Sequence, residues 1–181
     1  MATELADKDA LSGSMAPLSP REGRVVGLHI KPETPGERGI PKRAIPEVRL
    51  LHTGLSGDFN RYRHEEKHDD QAMAVLVIPR EMIDQLNVEG WPVHPGDLGE
   101  NITSEGIAYE AFVPGRSLRI GAAEVVVTKA CTPCEILYEL PYVGRERGPE
   151  FVRTMIDRRG WYLRVVREGM VRIGDSIRVA D

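Results

Sequence analysis

Apolar residues in this chain fall in short runs divided by glycine and proline, a spacing that suits strands better than long helices. Gly23–Ile30 (GRVVGLHI) predicts a strand, residues 31–46 a Pro/Gly-rich connection, and Val48–Leu51 a second short strand. The near-continuous apolar run Ala72–Ile78 has the character of a strand buried on both faces. Ser117–Ile120 and Glu124–Thr128 predict a hairpin about Gly121. Trp161–Arg167 and Met170–Val179 predict a final pair of strands. There Val171, Ile173, Ile177 and Val179 share one face, Arg172 and Arg178 take the other, and Gly174-Asp175 forms the bend. Helical spacing occurs twice. Pro79–Asn87 places Met82, Ile83 and Leu86 on one side, with proline suited to the first turn. Gly148-Pro149 opens a second helix, lined by Phe151, Val152, Met155 and Ile156 and closed by Arg158-Arg159-Gly160. Asn60–Asp70 is polar and charged, and glycine and proline punctuate Gly90–Gly106; neither stretch is assigned an element. About seven short strands and two or three helices, without strand–helix alternation, predict a mainly β fold. The expected architecture is a closed or nearly closed β-barrel carrying a few short helices.

A chain of 181 residues suits one domain, and 41% hydrophobic with 29% charged residues is an ordinary globular composition. Residues 1–22 read as a mobile tail rich in Ala, Ser, Pro and Gly, without a secretory signature, and residues 23–181 as the barrel domain. A net charge of -4 argues against nucleic-acid and anionic-membrane partners. No apolar run approaches the roughly 20 residues that span a bilayer. The expected compartment is the cytoplasm, where both cysteines would stay reduced.

Those two cysteines form Cys131-Thr132-Pro133-Cys134, between the strand pattern at Val125–Val127 and a short helical pattern at Glu135–Tyr138. A thiolate there can bind a soft metal, carry a sulfur atom or exchange with a disulfide. Three further segments precede it in order: Gly39-Ile40-Pro41-Lys42, Gly54-Leu55-Ser56-Gly57-Asp58, and Pro95–Gly106, which contains GENITSEG. Together with Thr132-Pro133-Cys134 they resemble the MOSC family, named for the C-terminal domain of molybdenum cofactor sulfurases. The resemblance runs from about Gly23 to Val179 and is to the stand-alone bacterial type.

The resemblance implies a β-rich barrel that interacts with the molybdenum cofactor, a phosphorylated pterin dithiolene. It assigns the role of metal ligand or sulfur carrier to Cys134. Family members use a histidine after the GLxGD segment; His68 is the nearest match, with His64 as alternative. The family's glycine loop is replaced here by Asp69-Asp70-Gln71. Lys42 lies in the matching GIPK segment and is a candidate to neutralise a phosphate or metal-oxo group. Arg43, Arg61 and Arg63 offer charge to the same group, with solvated loop positions as the alternative reading. Asp58, Glu100 and Asn101 are candidate pocket walls whose side chains also suit turn formation. Arg164, beside Trp161 and Tyr162, is a candidate anion contact. His29, His52 and His94 lack ligand spacing, so a zinc site with the two cysteines is disfavoured. The resemblance also links some relatives to reduction of N-hydroxylated compounds, which would require a separate electron donor, since no flavin or nicotinamide fingerprint is visible. A non-catalytic carrier working with a sulfur-donor protein is the second reading. A thiol–disulfide protein built on Cys131 and Cys134 is the third.

Overall fold

The computed structural model describes residues 21–180. The tail assigned to residues 1–22 lies outside them up to residue 20, and Glu22 already belongs to the first strand. Seven strands close a barrel. In chain order they are β1 (Glu22–Ile30), β5 (Val75–Pro79), β6 (Ile102–Glu105), β7 (Ser117–Ile120), β8 (Ala123–Ala130), β9 (Trp161–Arg167) and β11 (Ser176–Val179). Their spatial order is β11-β7-β8-β9-β5-β6-β1, and β11 pairs with β1 to complete the ring. Closure removes the exposed sheet edges that otherwise invite strand addition. All pairings in the ring are antiparallel except β5 with β6. The short strand β2 (Arg43–Ala44) adds to β1, and β3 (Glu47–Leu51), β4 (Gly54–Leu55) and β10 (Gly169–Arg172) form a separate small sheet.

Alternation explains the barrel interior. Val125 and Val127 of β8, Leu118 and Ile120 of β7, Leu163 and Val165 of β9, and Ile177 of β11 all enter one buried cluster. The β7–β8 hairpin forms about Gly121, as expected. The last two strands do not pair with each other. β10 joins β3, while β11 joins the barrel, and Ile173 between them is half exposed instead of sharing the inward face.

A second cluster packs outside the barrel around α2 (Arg80–Val88) and α3 (Gly144–Thr154). Ile83 and Leu86 meet Trp91, Leu98, Leu137, Phe151 and Met155 there. The helix α3 begins at Gly144, so Gly148 and Pro149 lie inside it. Gly148 is needed as packing space, because a Cβ would fall 2.4 Å from the ring of Tyr138. The run Ala72–Ile78 divides: Gln71–Met73 is a 3-10 turn and the strand starts at Val75. A further helix, α1 (Arg61–Lys67), occupies the polar stretch after Asp58, capped by the Asn60 side chain on Arg63 N. Among the described residues no helix is long and apolar enough to cross a membrane.

Candidate functional site

Cys131 ends the β8–β9 ladder, where its N–H donates to Gly160 O at 2.9 Å. This bond sets the two cysteines beside the Arg159-Gly160 turn that opens β9. Gly160 has φ +78°, and a Cβ there would stand 2.1 Å from Val77 O. Only glycine lets the chain pass so close to β5. Cys134 is exposed and Cys131 buried. The guanidinium of Arg159, itself 6% exposed, donates from Nη1 to Cys134 Sγ at 3.4 Å. The same nitrogen reaches Thr132 O at 3.4 Å, and Nη2 reaches Leu98 O at 3.3 Å. Burial works against the Arg159 charge, but the sulfurs of Cys131 and Cys134 outweigh it and hold its pKa above the usual value. Cys134 caps a five-residue 3-10 turn, Glu135–Glu139, without a side-chain hydrogen bond to its N–H groups. A side-chain cation, and not a helix start, is therefore the group that contacts the exposed sulfur.

Cys131 differs. Burial pushes its thiol up, Arg159 only partly opposes this, and Cys131 Sγ lies 3.3 Å from Tyr162 Oη. Burial also raises Tyr162, with Cys131 adding to it. This pair is a neutral, hydrogen-bonded strand end.

A second polar group surrounds Lys42. Its Nζ meets Asp58 Oδ2 at 2.7 Å, both side chains about 5% exposed. Asp58 Oδ2 also accepts from Asn101 Nδ2 at 2.8 Å, and Asp58 Oδ1 from Lys31 N at 2.7 Å. Asn101 in turn accepts from Leu76 N and so locks the approach to β6 onto β5. Burial lowers the Lys42 pKa against the pull of Asp58. Glu100, fully buried, accepts from Gly96 N and Thr103 Oγ1, and burial raises its carboxyl. His29 packs against Gly96, where burial first and Lys42 second lower it to about 4. The segment Leu98–Asn101 joins the two groups: Arg159 holds its start and Asp58 its end.

The MOSC domain model matches residues 64–178. The chain belongs to the MOSC domain family. Its fold is similar to that of YuaD from Bacillus subtilis, with a TM-score of 0.71 and 18% identity over 87% of this chain and 95% of that one. YiiM from Geobacillus stearothermophilus gives 0.65 and 22% identity, covering 88% and 75%. YiiM from Escherichia coli gives 0.61 and 20% identity, covering 87% and 70%. A comparison with curated proteins returns no match.

Of the residues singled out in the MOSC sequence, Lys42, Asp58, Glu100 and Asn101 converge, and Cys134 lies at the other end of the Leu98–Asn101 segment. His68 and Arg164 do not join them. His68 ends α1 in the left-handed conformation (φ 48°, ψ 45°) with its side chain exposed. His64 pairs with Asp69 at 3.0 Å on the surface. Arg164 is exposed, between the buried Leu163 and Val165. Among the described residues, no group of three or more His, Cys, Asp or Glu is set to hold a metal ion. Arg159 and His29 stand beside these groups although the sequence marks them only as a helix-closing charge and an ordinary histidine, and Arg63, a candidate phosphate contact with a solvated loop charge as the alternative, is buried. The glycine after Arg159 was the one available signal, since it marks a close backbone approach.

Proposed function

We propose that this MOSC protein binds the molybdenum cofactor and presents the Cys134 thiolate to it as metal ligand or sulfur acceptor. The observation that carries the reading is the exposed Cys134 sulfur 3.4 Å from the buried Arg159 guanidinium. A soft thiolate suits a thiophilic metal, and the Arg159 guanidinium gives the sulfur a positively charged hydrogen-bond donor. The donor set fits the group in a second respect. Polar atoms of Arg63, His29 and Glu100 are buried near Lys42 without hydrogen-bond partners among the described residues, as expected where a polar ligand is received. Bound there, the cofactor would supply a redox-active molybdenum centre. The protein's own part is to orient the Cys134 sulfur through Arg159 and to fix the pocket wall through Asp58 and Asn101. Reduction of N-hydroxylated compounds, with electrons from a separate donor protein, is the activity we assign to the loaded form. Cys131, buried and neutral, is not needed for it.

Metal analysis after expression in a cofactor-producing host tests the reading. Near-stoichiometric molybdenum is expected in wild type and in Cys131→Ser, with at least about tenfold less in Cys134→Ser. Equal metal content in all three proteins would remove Cys134 from the site. Turnover of an N-hydroxylated substrate with a supplied reductant then separates an enzyme from a carrier that holds cofactor or sulfur for another protein.

A further inference from the structure

Arg63 projects from α1 into the protein, 8% exposed, although every other residue of that helix stays out of the core. Its Nη2 donates to Thr53 O. Its Nε and Nη1 are buried and have no partner among the described residues. Room for the guanidinium comes from Gly54 (φ +116°): a Cβ there would stand 3.1 Å from Nη1 and 2.8 Å from Ala74 O. The neighbouring charges do not neutralise it. Asp58 is taken by Lys42, whose own charge is opposed by Arg63. Asp70 also feels Arg63, but its carboxylate already accepts from Ala72 N and pairs with Lys129. Glu100 keeps its proton more readily than an exposed carboxyl, and His29 stays neutral. Two buried donor nitrogens of Arg63 are thus left without acceptors, an arrangement that is costly until one arrives.

We propose that Arg63, seated on Gly54 beside the Lys42–Asp58 pair, is an oxyanion-binding residue that takes a phosphate-type group of a small molecule. A buried guanidinium whose Nε and Nη1 lack acceptors can donate to an oxygen of such a group, and the incoming negative charge is favoured beside it. The proposal deepens the cofactor reading by naming the residue for a phosphorylated ligand. It does not depend on the Cys134 chemistry.

The test uses inorganic phosphate as probe on the full chain carrying Cys134→Ser, made in a host unable to synthesise the pterin cofactor. Loss of molybdenum binding therefore cannot affect the result. At phosphate about tenfold above its dissociation constant, the melting temperature should rise by about 3–6 °C over chloride of equal ionic strength. Phosphorus NMR should show line broadening of phosphate in the presence of the protein. Arg63→Met should abolish both effects, and Arg63→Lys should keep a part of them. In phosphate-free buffer Arg63→Met should melt no lower than its parent, because it removes buried donors that lack acceptors. An unchanged phosphate signal with the parent protein, or an equal response in Arg63→Met, overturns the proposal. If Arg63→Met does not fold, the parent's phosphorus signal and the Arg63→Lys comparison decide alone.

Discussion

Lys42 and Asp58 are buried and paired with each other, which makes them a structural element of the fold around Asn101. The carboxylate accepts from Lys42, Asn101 and the backbone of Lys31, so three separate chain segments meet on one side chain. Removing one partner strands the other charge in a dry setting. Asp58→Asn or Lys42→Met should each cost about 3–5 kcal/mol. The double replacement Lys42→Met with Asp58→Asn should cost clearly less than the sum, because neither charge is then left alone. Denaturant unfolding of the four proteins measures this directly, and simple additivity would show that the pair is not coupled. Arg159 works in the opposite sense: its charge is turned toward an exposed sulfur, which leaves that sulfur open to chemistry.

Glycine at 160 shows how an element places a reactive group. The turn that opens β9 runs against β5 so closely that alanine would overlap Val77 O and force a backbone with φ +78° to carry a side chain. The conformational strain alone is worth about 1–3 kcal/mol, and the overlap adds to it. Gly160→Ala should therefore lower the melting temperature more than Gly174→Ala, a position of positive φ with open space around it. Equal losses would mean that strain, and not contact with β5, limits the turn. At this scale the sequence was legible where burial follows a period. Strands β1, β3, β7, β8 and β9 and the helix α2 carry regular apolar positions, so the barrel could be expected. The helix α1 could not, because RYRHEEK buries a charged arginine and no apolar side chain. β6 was hidden for a related reason: its Thr103 and Ser104 are polar yet buried, and four residues are too few to show alternation. The start of α3 was misplaced because Gly148 and Pro149 imitate a boundary, while both lie inside the helix and Gly148 leaves room for Tyr138. For the site, the motifs led to Cys134, Lys42, Asp58, Glu100 and Asn101. Arg159 and Arg63 come near these residues only through tertiary folding, and the glycine after Arg159 is the one local mark of that.

Over the whole molecule, the barrel core and the outer helical core meet at Gly99-Glu100-Asn101, with Leu98 in one and Ile102 in the other. Buried polar groups at such a seam tie global stability to pH. His29 lies on β1 and packs against Gly27 and Gly96, with the charge of Lys42 acting on it. Its folded pKa of about 4 lies below the unfolded value of 6.5, so between these limits the unfolded chain binds a proton that the folded chain refuses. The stability that His29 supplies is thus complete above pH 6.5 and is lost as pH falls toward about 4. Glu100 runs the other way. Its pKa is raised by burial, so the folded chain holds a proton that the unfolded chain releases above its ordinary value of 4.5. Its contribution is present at low pH and is lost as pH rises through the raised folded value. The two groups oppose each other across the same acid range. On acidification below pH 6.5 the melting temperature of wild type should therefore drop relative to that of His29→Gln, which keeps the Glu100 contribution and lacks the His29 one. Parallel curves for the two proteins would mean that His29 is charged in the folded state, and the polar group around Lys42 would then carry one more positive charge than its packing implies.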